Sequence, residues 1–196
     1  MDEHELNHGK AVQARERLHM IDAILERSGR AQRPLPGTYV AWGLTGALFN
    51  AAYVPAFSAL SSVFTTSGEI CTGIAYLLTA LEYTRARRLR QTPMDRQALA
   101  VFAGVTTTLW VLKWIWLSNG LVDGVAFSLM WSLGFAIALL VHGSGPMRAL
   151  SLGGVVLLIC VFVASFVPSS MALVLMIGNL LGVAGPGVYF ALRSTR

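Results

Sequence analysis

Six runs of mostly apolar residues follow one another between residues 39 and 192, and this repetition constrains the fold more than any single motif. The runs cover residues 39–57, 63–83, 98–118, 121–141, 149–167 and 171–192. Each is close to the about 20 residues that a helix needs to cross hydrocarbon. None alternates polar and apolar residues as membrane strands do. The pattern predicts an all-α integral membrane protein with six transmembrane helices. Residues 1–37 form a cytoplasmic arm carrying an amphipathic helix, and residues 38–196 form the six-helix domain. Only 13% of residues are charged, against about 25% in soluble domains. That shortage of charge also excludes a disordered chain, and two cysteines are too few for a disulfide scaffold.

Proline placement is an independent check, because a helix interior resists a residue that lacks a backbone donor. Pro34, Pro36, Pro55, Pro93, Pro146 and Pro168 fall at the ends of runs or between them, and Pro186 alone lies inside one.

The basic residues set the orientation. Lys10, Arg15, Arg17, Arg27, Arg30 and Arg33 precede the first run. Arg85, Arg87, Arg88, Arg90 and Arg96 lie between the second and third. Arg148 lies between the fourth and fifth, and Arg193 and Arg196 follow the sixth. Fourteen of the fifteen basic residues thus share one face, and Lys113 alone lies within a run. Positive loops stay cytoplasmic, so both termini are expected inside, in a multi-pass protein of the cell inner membrane. The first 37 residues are too polar for a cleavable signal peptide, so the first run is expected to act as an uncleaved anchor. The net charge of +5 is mostly this inside bias, and no nucleic-acid partner is expected. Cys71 and Cys160 lie within runs, where they read as apolar filler.

In the arm, Ala11, Ala14, Leu18, Ile21 and Leu25 recur at spacings of three and four, giving one apolar stripe on a charged helix over residues 4–30. Such a helix lies on the membrane surface, docks a cytoplasmic partner, or pairs with its copy in a homo-oligomer. His4-Glu5-Leu6-Asn7-His8 matches H-E-x-x-H, a zinc-protease spacing, but a terminal arm supplies neither a cleft nor a third ligand. No metal site, cofactor or enzymatic activity is expected.

Ionisable residues inside spans cost about 2.5–3.5 kcal/mol each on insertion scales, so they are default site candidates. Glu69, Lys113 and Asp123 fall in the outer half of their runs. Glu69 and Lys113 lie at depths that agree within roughly 3 Å, which allows an ion pair. Alternatively, the Lys113 stem lies along Trp110, Trp114 or Trp116 and lifts its ammonium to the headgroups. Asn50 and Asn179 near mid-membrane suggest hydrogen bonds between helices. Glu82 and His142, at cytoplasmic ends, are expected to reach water. Gly178 and Gly182 give a close-packing G-x-x-x-G face, and Gly185-Pro186-Gly187 predicts a kink or unwound turn, which transporters use at binding sites. Gly43, Ala47 and Ala51 make a small-residue stripe in the first run.

The expected function is binding or translocation of a small solute or ion through an outward-facing polar pocket. Its candidate ligand-binding residues are Glu69, Lys113, Asp123, Asn179, Trp110 and Trp114. The alternative is a membrane-embedded regulatory or assembly protein acting through the N-terminal helix. In size, span number, inside termini and the Ala47-x-x-x-Ala51 spacing, the chain resembles the substrate-binding subunits of energy-coupling-factor vitamin transporters, which implies small-solute binding. In its short arm ahead of six spans it is similar to bacterial anti-sigma factors, although it lacks their His-Cys-Pro segment. Neither resemblance transfers individual residues.

Overall fold

The computed structural model describes residues 17, 18, 20, 35–88, 93–120, 123–143 and 147–194. Every regular element among them is helical. We label these α1 (Pro36–Ala51), α2 (Ser61–Arg88), α3 (Pro93–Ser118), α4 (Gly124–His142), α5 (Arg148–Phe166), α6 (Met171–Asn179) and α7 (Gly185–Ser194). A π-helical turn, Leu180–Ala184, joins α6 to α7. In the arm, Arg17, Leu18 and Met20 are helical and exposed. The rest of the predicted amphipathic helix, with the H-E-x-x-H segment, lies outside the described residues.

Each apolar run coincides with a helix, but the ends differ. The first run was expected to stay helical to residue 57, whereas α1 stops at Ala51. Pro55 lacks a donor and disfavours helical geometry in the residue before it, so Val54 is extended and a 3₁₀ turn, Pro55–Leu60, leads into α2.

Among the described residues, two helical stretches are long and apolar enough on their own to cross a membrane: Arg148–Phe166, and Pro168–Arg193 taken through the π turn. Pro36–Ala51 and Pro55–Arg85 supply a third if joined as one span that changes direction by 107°. This is fewer than the six expected. The early stop of α1 shortens it, the first turns of α2 are rich in Ser and Thr, and the apolar parts of α3 and α4 shrink to Ala100–Trp116 and Ala126–His142.

α1 and α2 run back along each other. The Leu35 amide meets Glu82, Gly37 faces Leu78, Trp42 bonds Thr79 and Phe49 covers Gly68, so partners on α2 descend as α1 ascends. α1 also packs against α6, the π turn and α7, while α5 packs against α4 and α6, and α3 against α4. First and last helices therefore touch, and the bundle closes on itself.

Glycines set these approaches. A Cβ on Gly43 would lie 2.4 Å from the Ala184 nitrogen, and one on Gly153 would lie 2.1 Å from the Gly182 carbonyl oxygen. A Cβ on Gly178 would meet Cys160 at 2.7 Å. The last helix is thus held between α1 and α5 at backbone contact, as its G-x-x-x-G spacing predicts. The π turn marks this place: the Gly185 amide donates to the Leu180 carbonyl five residues back. Pro186, which cannot donate, follows directly, and the helix runs on through a widened turn where unwinding was expected.

The core is aromatic. Trp42 is fully buried, with ring centroids of Tyr76, Phe135, Trp131 and Phe102 at 4.9, 5.3, 6.1 and 6.3 Å. At one end Tyr39, Phe102, His142 and Phe190 gather. Arg85 in the last turn of α2, Arg148 opening α5 and Arg193 closing α7 are all exposed. Buried positions include Thr38, Thr45, Asn50, Thr72, Thr79, Thr106, Ser128, Ser132 and Asn179, while Ile70, Leu77, Leu152, Phe162, Phe166 and Leu181 are more than half exposed. Small polar groups thus sit among the buried aromatic and aliphatic residues, and many large apolar side chains stand exposed on the outside.

Candidate functional site

At the end of the bundle away from these arginines, α2 and α3 bring two of the candidate residues together. The Lys113 ammonium is ion-paired with the Glu69 carboxylate. Lys113 is the more buried of the two, with 13% of its side chain exposed against 35% for Glu69. Its ammonium also sits 3.9 Å from the centroid of the Phe49 ring and 5.8 Å from that of Trp114. These contacts replace the snorkelling geometry along the tryptophans. Phe49 reaches this position because Gly68 leaves room: a Cβ there would stand 3.0 Å from the ring. An aromatic face and a carboxylate together offset what a buried ammonium loses in leaving water.

Behind the pair is a cavity of about 20 Å³, enough for one water-sized group. The end of α1 contributes Phe49, Asn50 and Tyr53 to its wall, α3 contributes Lys113, and α4 contributes Phe127, Ser128 and Trp131. Two buried polar atoms here have no hydrogen-bond partner, Asn50 Oδ1 and Trp131 Nε1. Asn50 Nδ2 donates to the Gly46 carbonyl at 2.7 Å, inside its own helix. The expected bond between helices is therefore not made by Asn50, because the carbonyl one turn back is the nearer acceptor.

One turn deeper the polar file continues. Asn179 Nδ2 donates to Ser132 Oγ at 3.1 Å and to the Leu175 carbonyl at 2.8 Å. Its bond to α4 is the interhelical contact expected of it. Asn179 packs against Gly46, where a Cβ would stand 2.1 Å from Asn179 Oδ1. That oxygen and Thr45 Oγ1 are buried without partners. Ser128 and Ser132, and likewise Asn50 and Gly46, are one helical turn apart. The two levels therefore join along α1 and α4. Below them the Trp42, Trp131 and Phe135 rings fill the bundle.

The other candidates sit elsewhere. Asp123 is exposed and caps α4, accepting from the Ala126 amide at 2.7 Å. It lies beside Tyr53, whose hydroxyl occupies the space that Gly124 leaves open. It does not join the Glu69–Lys113 pair, because the cap holds it at the helix start. Trp110 stacks edge-on with Tyr76 and Trp114 at 6.2 Å each and does not line the cavity. Trp114 is exposed and reaches only the flank of the ammonium. Phe49, Tyr53, Ser128 and Trp131 were missed as site residues. The one signal was for Phe49: Gly68, a small residue directly before the Glu69 carboxylate, leaves the room its ring takes.

A second polar group lies at the arginine end. Glu82 is 8% exposed and accepts from the Leu35 amide at 3.1 Å. His142 is half-buried, with Nε2 at 3.3 Å from the Tyr39 hydroxyl. Both were expected to face water. The start of α1 folds over Glu82 instead, and Tyr39 and Phe102 cover His142. Among the described residues no three His, Cys, Asp or Glu side chains converge as a metal site.

No family model, no curated protein and no solved structure matches this chain, so its function must be argued from the geometry itself.

Proposed function

We propose that the chain crosses the cell inner membrane six times with both termini cytoplasmic, and binds or passes a small solute or ion through the pocket behind Glu69 and Lys113. The membrane reading is supported by the many large apolar side chains that stand exposed along the outside of the helices. The reversed order in which α1 meets its partners along α2 favours two crossings over one broken span. The apolar parts of α3 and α4 measure about 26 Å at 1.5 Å per residue, close to the about 30 Å hydrocarbon core, and flanking side chains make up the difference. Arg85, Arg148 and Arg193 share one end, as cytoplasmic loops require.

The single observation that carries the transport reading is the ion pair beside a cavity where one buried acceptor, Asn50 Oδ1, and one buried donor, the Trp131 indole N–H, lack partners. An intramembrane charge pair is expensive to keep unless it is used. A small ion offers Glu69 or Lys113 a substitute partner and opens the pair, and Asn50, Ser128, Ser132 and Asn179 then offer hydrogen bonds inward. The packed rings around Trp42 close the path at mid-bundle, which makes this an outward-open or occluded arrangement. The cavity's size limits the solute to a few atoms unless α3 moves.

Reconstitution into proteoliposomes tests the assignment. Efflux and uptake are measured for a panel of monovalent ions and small neutral solutes, with Glu69→Gln and Lys113→Met beside the unaltered protein. Loss of one flux in both variants is expected. The proposal is overturned if the unaltered protein moves and binds none of the panel, or if both variants keep the flux unchanged.

A further inference from the structure

A separate groove of about 570 Å³ runs along the outer surface between α5 and the π turn with α7, starting at the arginine end. We propose that it is a specific seat for one anionic phospholipid of the leaflet on that side. The inference rests on the membrane reading above but not on the transport reading.

Three features define the ligand. Arg148 and Arg193 both line the mouth, and among the described residues no acidic side chain lines the groove. Beside them, α5 begins without a side-chain cap at Met147, which itself lines the groove, so the positive end of the helix adjoins the opening. Two guanidiniums and an uncapped helix start make a phosphate site, since arginine forks match phosphate oxygens in pairs. Away from the mouth the lining turns apolar, with Leu152, Val156 and Leu181 along the way. A free anion uses only the mouth; a phosphate esterified to acyl chains uses both parts. The groove exists because Gly153 and Gly182 bring the helices into backbone contact and leave no side chain to fill the trough above them. The π turn contributes Leu181 to its far wall. Tyr189 Oη lies 3.3 Å from Arg193 Nη1 and steadies that guanidinium at the mouth.

The test compares lipids retained by the detergent-purified full chain, read by native mass spectrometry after equilibration with equal phosphatidylglycerol and phosphatidylcholine of the same acyl chains. Two basic contacts predict retention of the anionic lipid by about thirtyfold over the zwitterionic one. Arg148→Gln with Arg193→Gln should bring the ratio to one, and Arg148→Lys with Arg193→Lys should keep most of it. Equal retention by the unaltered protein overturns the proposal. So does a preference that survives the glutamine pair, or displacement of the lipid by millimolar inorganic phosphate alone. Flotation with liposomes separates this from failure of the membrane reading: a chain that stays at the bottom of the gradient, unassociated, refutes both, whereas one that floats without lipid preference refutes only the lipid seat.

Discussion

Replacing Gly153 by alanine adds one methyl group where two helices meet at backbone contact. The new Cβ would lie 2.1 Å from the Gly182 carbonyl oxygen and 2.7 Å from Pro186 Cγ, where ordinary contact begins at 3.4 Å. Neither neighbour is a flexible side-chain end: one is backbone, the other a ring fixed to it. α5 and the last helix must therefore part by about 1.3 Å at this level, which loosens dispersion contacts along the whole interface. Overpacking of this kind costs about 1–3 kcal/mol, and the better helix propensity of alanine returns no more than about 1 kcal/mol. A net loss of about 1–2 kcal/mol is expected. Gly73→Ala in α2 is the matched control, since nothing lies within 4 Å of its Cβ position. There the propensity term acts alone and stabilises by about 0.5–1 kcal/mol. Both are measured by reversible unfolding in mixed micelles, followed by tryptophan fluorescence and helical circular dichroism. Opposite signs are the expected result. Equal signs, or a neutral Gly153→Ala, would refute backbone contact between α5 and the last helix.

Trp42→Phe removes the bond from Nε1 to Thr79 at 3.0 Å and opens space among four rings, so it should cost about 2–4 kcal/mol in the same assay, while Trp114→Phe on the exposed face should stay within about 0.5 kcal/mol. Asp123→Ala should lose about 1 kcal/mol of α4 stability and Asp123→Asn should lose little, because asparagine also caps; equal losses in thermal melts would reject the cap assignment. Glu69→Lys combined with Lys113→Glu should melt closer to the unaltered protein than either single exchange does, and additive losses would argue against the pair. Deleting residues 1–34 should leave solute flux intact if the pocket is the working site; abolished flux with unchanged helix content would move the function to the arm.

Helices were legible because apolar persistence over twenty residues survives any detail of packing. Their ends were not. The stop of α1 depends on how Pro55 constrains Val54, a local effect that a hydropathy run smooths over. Glu69 and Lys113 were legible as partners because depth alone relates two residues on adjacent helices. Phe49 was not, since contact with the ammonium requires the rotational phase of α1, and that phase is set by Gly68 and Gly46 meeting their neighbours. Asp123 misled in the other direction: an acid beside an apolar run looks like an intramembrane charge, but it also has the position and chemistry of an N-cap. Glu82 and His142 were placed at a helix end correctly and exposed wrongly, because the segment that covers Glu82 comes from nearly fifty residues earlier in the chain.

The clasp between α1 and the closing helix fixes the order of assembly. Gly43 waits for Ala184, Gly46 for Asn179, and the Pro36 carbonyl for Gly187. Synthesis yields α1 long before these partners, so its glycine face has nothing to lie against until the C-terminal segment leaves the ribosome. Through most of synthesis that face, with Thr45 and Asn50 on it, stands uncovered. Loss of the final two dozen residues would therefore unmake α1 as surely as the latest-made helix.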